Sequence, residues 1–234
     1  MVDTFLYIVF PYVALVLAVT GGIYRYFGDR FSFSSLSSQF LEHRMLFWGV
    51  VPWHYGIVSI LLAHLLASIV PGWWSSLLSG PNRLATLELI GMSLGLLTLT
   101  GLIILVFRRL VNAKARAVTS IMDWLLLGPL FLQVALGVYI AFSYRWGSLW
   151  YLHTAVPWLR SLALLNADSA TVVHLPLAVK FHFVNGFILI LLFPFTRLVH
   201  IFTFPVRYLW RPWQVVIWNR QSCQARLEKS SGKA

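Results

Sequence analysis

Four histidines, His54, His64, His182 and His200, sit inside long apolar stretches of this 234-residue chain, out of seven histidines in all. An ionisable side chain at membrane depth is costly and usually functional. Imidazole suits haem iron, and two neutral imidazoles can occupy both axial positions of one planar macrocycle. That arrangement leaves no open position on the metal, which favours electron transfer over oxygen binding. Zinc or copper would want shorter spacings, or Cys and Met close by, and the chain has 1 Cys and 4 Met. A proton-translocating transporter would usually show acidic residues in mid-span, whereas Asp123 and Glu88 fall at the ends of apolar stretches. A membrane transporter or anchor with structural histidines stays open on this pattern, and it would be a colourless protein.

The elements that must carry these histidines follow from composition. Hydrophobic residues make up 59% of the chain and charged residues 11%, against about a quarter charged in a soluble domain. The mean hydropathy of +0.77 points to lipid as the main solvent. The lone Cys223 excludes an intrachain disulfide, a Cys-based zinc site, an iron–sulfur cluster and covalent haem attachment. The first residues lack a basic region and a cleavage site, and are expected to form a retained span rather than a signal peptide.

Five stretches reach the roughly 20 apolar residues needed to cross a bilayer: about 4–24, 46–70, 88–107, 123–143 and 180–203. The apolar runs do not alternate, so the expected fold is an all-α membrane bundle over residues 1–215 with a basic tail, 216–234. Arg25, Arg30, Arg44, Arg108, Arg109, Lys114, Arg116 and the bases of the tail share one side. The other side has Arg83, Arg145, Arg160 and Lys180. The basic side is expected to be cytoplasmic, which puts the N-terminus outside and the C-terminus inside. Topology and anionic lipid account for most of the net charge of +11 without nucleic acid. Trp48, Trp73, Trp74, Trp124, Trp210 and Trp213 lie near span ends, as interfacial anchors do. In the outer connection, 144–179, YRWGSLWYLH and VPWLRSLALL read as short amphipathic helices lying on the surface.

Spans two and five run in opposite directions, so depth pairs His64 with His182 and His54 with His200. Each pair would clamp one macrocycle, with one group near each membrane face. His182 and His200 are 18 residues apart, five helical turns and about 27 Å, so both should face the same way. His54 and His64 are 10 apart, about 15 Å. The separations differ by about 12 Å, which tilt and side-chain reach would have to absorb. Gly56, Gly91, Gly95, Gly101, Gly137 and Gly186 offer close approach for helices or cofactors alike. Haem propionates need cations, and Arg197, Arg108 and Arg109 stand on the inner side.

Several stretches resemble the gamma subunit of membrane-bound respiratory nitrate reductase, a di-haem cytochrome b. These are FHFVNGFILILLFPFTRLVHIFTFPVRYL (181–209), WHYGIVSILLAHLLA (53–67), FRRLVNAKARAVTSIMDWLLLGPLFLQVALG (107–137) and SSQFLEHR (37–44). The 10 and 18 spacings match this family and differ from the near-equal spacings of bc-complex cytochrome b. The resemblance implies two haem b groups, the outer on His64 and His182 and the inner on His54 and His200. It implies oxidation of membrane quinol near the outer haem, with protons released outside. Electrons would pass to a cytoplasmic iron–sulfur beta subunit and then to a molybdenum-containing alpha subunit, from a multi-pass protein of the inner (cytoplasmic) membrane. The family has a quinol-linked lysine near the outer start of span three, where this chain offers Arg83; His64 is the other quinol-site candidate. A cytochrome b feeding another quinol-linked reductase, heterodisulfide-reductase-like or sulfite-reducing, is the close alternative.

Overall fold

In lipid the backbone must satisfy its own polar groups, and a continuous apolar run does so as an α-helix. A computed structural model describes residues 1–29, 32 and 42–203, and no strand occurs among them. The helices are α1 (Val2–Gly28), α2 (Arg44–Ile69), α3 (Pro71–Leu78), α4 (Pro81–Val111) and α5 (Ala113–Ala117). They continue as α6 (Ile121–Ser143), α7 (Gly147–His153), α8 (Ala155–Ala163), α9 (Ala170–Val173) and α10 (Leu177–Leu192). Five stretches are long and apolar enough to cross a membrane: α1, α2, α4, α6, and α10 extended to Phe195. Arg30, Trp210, Trp213, Cys223 and the basic tail lie outside the described residues.

The third span starts earlier than expected. Pro81, whose fixed φ suits a first helical turn, opens α4 seven residues before position 88. Glu88 therefore rides inside the helix, where one carboxylate oxygen accepts the backbone N–H of Ser148 at 2.7 Å. At 31 residues α4 is about 46 Å long. That exceeds the about 30 Å hydrocarbon core, so its polar first turns can stand clear of lipid.

Small residues bring α2 and α4 together. A Cβ on Gly101 would lie 2.6 Å from Trp53 N and 2.7 Å from Gly49 O, and one on Gly56 would collide with the buried Thr98 hydroxyl. Leu102, Leu127 and Val134 join α4 to α6. In the connection 144–179, α8 turns an apolar face into the bundle and leaves Pro157 and Arg160 exposed on the other. Trp158 is 2% exposed, clustered with Tyr7, Ala14 and Phe187. Its indole N–H donates to Tyr7 O at 2.9 Å.

The fifth span is not one helix. α10 ends at Leu192, Phe193–Phe195 form a tight 3-10 turn, Thr196 is extended, and Arg197–Thr203 form a second 3-10 segment. Pro194 causes the break, because it has no N–H to donate and its ring clashes with the preceding turn. The rings of Phe193 and Phe202 lie 5.2 Å apart, where nine residues of straight helix would span about 13 Å. The two rings meet across the break. His200 is not on the helix of His182, so five-turn periodicity does not set its direction. The straight helix carries His182 for only ten residues, about 15 Å, to Leu192, so the roughly 27 Å expected of an unbroken helix between His182 and His200 does not apply.

Candidate functional site

The face of α2 that packs on α4 carries Gly49 and Gly56. His54 lies about 140–160° round the helix from that face, so its ring points away from the seam. Its Nδ1 lies 2.9 Å from Val50 O, and Nδ1 of His64 lies 2.8 Å from Ile60 O. His200 repeats the pattern, with Nδ1 2.6 Å from Arg197 O. A carbonyl can only accept, so each of these imidazoles carries its proton on Nδ1 and its lone pair on Nε2. Metal-ligating histidines are held in this way, by a hydrogen bond on the nitrogen that does not bind the metal.

The structure brings His54 and His200 together, with ring centroids 6.1 Å apart. An imidazole–metal bond is about 2 Å and the ring nitrogen sits about 1 Å from its centroid, so two axial imidazoles need about 6 Å between centroids. The donor set and spacing of this pair fit a bis-histidine iron.

His182 lies within electrostatic reach of His64 and is held differently. Asn185, buried on α10, donates its amide N–H to Pro129 O at 2.9 Å and to Gln133 Oε1 at 2.7 Å. The Pro129 carbonyl can only accept, which fixes the orientation of Asn185 and hence that of Gln133. The Gln133 amide nitrogen then faces His182 Nε2 at 3.2 Å and must donate to it. His182 therefore also carries its proton on Nδ1, a buried atom with no hydrogen-bond partner. All four histidines keep their lone pair on Nε2. A Cβ on Gly137 would stand 3.3 Å from the His182 ring, and one on Gly186 would stand 3.5 Å from the Gln133 amide. These two glycines make room at the site, Gly56 and Gly101 serve helix packing, Gly95 meets Val138, and Gly91 faces open space.

Beside His64, the ring of Tyr151 on α7 packs edge-on at 5.2 Å. The Tyr151 hydroxyl lies 2.9 Å from Ser68 Oγ, which itself donates to His64 O at 2.8 Å. Burial pushes the Tyr151 phenol up, against the opposing effect of the Ser68 bond, so it stays protonated. Arg83 donates to Ser79 Oγ at 2.7 Å in its own turn, and no hydrogen bond or ion pair among the described residues links it to His64. Arg108 is buried and bonds Glu42 through both the carboxylate, at 2.7 Å, and the backbone carbonyl, at 3.0 Å. Arg197 pairs with Asp123 at 2.9 Å, and half-buried Arg109 lies within electrostatic reach of both. Among the described residues, no three His, Cys, Asp or Glu side chains converge.

A bundle with five helices long and apolar enough to cross a bilayer belongs to the multi-pass membrane proteins, and the particular family is clear from comparison. The nitrate reductase gamma subunit family matches residues 3–219, and this chain belongs to it. It is 33% identical to the nitrate reductase gamma chain of Bacillus subtilis over 217 residues, covering 92% of this chain and 96% of that one. It is 30% identical to the respiratory nitrate reductase 2 gamma chain of Escherichia coli over 220 residues, with the same coverage. The nitrate reductase-like protein NarX of Mycobacterium tuberculosis matches at 29% identity over 88% of this chain but 32% of its own length. The role of a nitrate reductase gamma subunit, and so of an oxidoreductase subunit, follows from this membership.

Sequence reasoning passed over Gln133, Asn185, Tyr151 and Ser68. A signal for the first two existed, since each is a polar residue within an apolar span.

Proposed function

We propose that this chain is the quinol-oxidising cytochrome b subunit of a respiratory nitrate reductase in the cytoplasmic membrane. It oxidises membrane quinol near the outer face and delivers electrons to a cytoplasmic iron–sulfur beta subunit, and through it to a molybdenum-containing alpha subunit. Two haem b groups, when bound, supply one-electron transfer from one face of the bilayer to the other. The observation that carries this reading is the His54–His200 pair, 6.1 Å between centroids with both proton-bearing nitrogens tied to backbone carbonyls.

His54 and His200 hold the inner group, and His64 and His182 the outer one. Each quinol gives up two electrons and two protons. The protons leave outside while nitrate reduction consumes protons inside, so charge is separated without a pump. His64 borders the quinol, and Tyr151 and Ser68 hold that turn of α2 against the outer connection. Arg83 is the cation at the outer start of α4, within reach of quinol through movement of its side chain. Arg197 and Arg109 supply positive charge beside the inner pair for propionates. Arg108, also a propionate candidate by position, is engaged by Glu42.

The test is a reduced-minus-oxidised spectrum of the purified subunit with a haem-to-protein ratio. A b-type spectrum at two haems per chain is expected. His200→Ala should remove the inner haem, leave the outer one reducible by quinol, and abolish delivery to the partner. Full turnover in that variant overturns the assigned path. A colourless protein, even when co-expressed with its partners and supplied with haem, rejects the function.

A further inference from the structure

The break in span five creates a demand that another helix meets. Ending α10 at Leu192 frees backbone carbonyls in an apolar setting, where an unpaired carbonyl is costly. Arg25, near the end of α1, donates from one guanidinium nitrogen to both Pro194 O, at 2.7 Å, and Thr196 O, at 2.9 Å. Its other nitrogens are anchored on Ser32, at 2.8 Å to the hydroxyl and 2.7 Å to the carbonyl. Gly21 stands one turn before Arg25 on the same face. A Cβ there would come within 2.9 Å of the Pro194 ring. α1 is thus shaped to the break twice, with a gap for the proline ring and a cation for the carbonyls.

The path from this clamp to the histidine is short. Thr196 is followed by Arg197, whose side chain pairs with Asp123 and whose carbonyl receives Nδ1–H of His200. We infer that Arg25, with Gly21, is a positioning residue for His200 and thereby sets the geometry of the inner histidine pair. The inference rests on the haem-binding reading above. It adds α1, which carries none of the four paired histidines, to the machinery that tunes the inner haem.

The experiment uses the assembled complex in membranes, with haem content, redox titration and the low-temperature EPR signals of the two haems as readouts. Arg25→Leu should lose the inner haem or shift its midpoint potential and EPR signal, with the outer haem unchanged. Arg25→Lys keeps the charge without the fork and should restore haem content while leaving the inner signal displaced. Gly21→Ala changes no charge, so a displaced inner signal there separates geometry from simple electrostatics. It also decides the matter if Arg25→Leu fails to accumulate. Unchanged inner signals in Arg25→Leu, or in Gly21→Ala, overturn the inference. A wild-type complex without haem, or an inner signal that survives His200→Ala, overturns the underlying haem reading instead.

Discussion

Each of the four histidines is held by a hydrogen bond on one ring nitrogen, by two different devices. His54, His64 and His200 use a carbonyl of their own segment, three or four residues back. His182 depends on Gln133 and Asn185, which pass the polarity of one backbone carbonyl across two helices. Asn185 is 4% exposed. Asn185→Leu leaves Gln133 Oε1 and Pro129 O without that donor in apolar surroundings. It should cost about 1–3 kcal/mol, read as a lowered unfolding temperature in detergent. A melt identical to wild type would show that the relay carries no load. The histidines were legible in the sequence because an imidazole in an apolar run has few explanations. Gln133 and Asn185 were equally visible as letters, but their connection depends on how α6 and α10 are rotated against each other.

Among elements, the α2–α4 seam and the broken fifth span matter most. Gly91 and Gly95 look like a packing motif in sequence, yet a Cβ on Gly91 meets nothing within 4 Å while Gly56 faces the Thr98 hydroxyl and Leu94 O. Gly56→Leu should therefore destabilise by about 3 kcal/mol or more through overpacking, whereas Gly91→Leu should be tolerated. Expression level and melting temperature of the two variants check this, and equal behaviour would contradict the seam as described. The spans themselves were legible from hydropathy, apart from the early start of α4 at Pro81. The break at Pro194 was not, because a proline in an apolar run can kink a helix, end it or be absorbed by neighbours. The outcome here depends on Gly21 and Arg25 of a helix far away in sequence.

At the scale of the bundle, Glu42 ties the start of α2 to the end of α4. Its carboxylate accepts the Met45 and Leu46 backbone N–H groups, at 2.7 and 3.2 Å, and pairs with Arg108 from α4. Partial desolvation pushes this carboxyl up, and the Met45, Arg108 and Leu46 bonds outweigh that, so it sits below its ordinary value. A carboxyl lowered by folding contributes stability above its unfolded pKa and loses it as pH falls through the folded one. Below about pH 4.3, therefore, the wild type should lose stability that Glu42→Gln lacks at every pH. Parallel pH–stability curves for the two would remove Glu42 from the account. Orientation is tested at the same scale: Asp168→Cys, in the outer connection, should react with an impermeant thiol reagent from outside, and Lys114→Cys only after the membrane is opened. The reverse pattern inverts the assignment of inner and outer pairs.

Composition and spacing by themselves determined that this chain carries five membrane-spanning helices and, through depth, which histidine pairs to expect. Those conclusions need only the cost of leaving a polar group in lipid, and that cost depends on residue type and position along the chain. Tertiary structure decided how His200 reaches His54, what holds His182, and what the apolar face of α8 packs against. These depend on contacts between residues as distant in sequence as Arg25 and Pro194. No local pattern encodes them, because helix rotation and a single proline break settle which side chains meet.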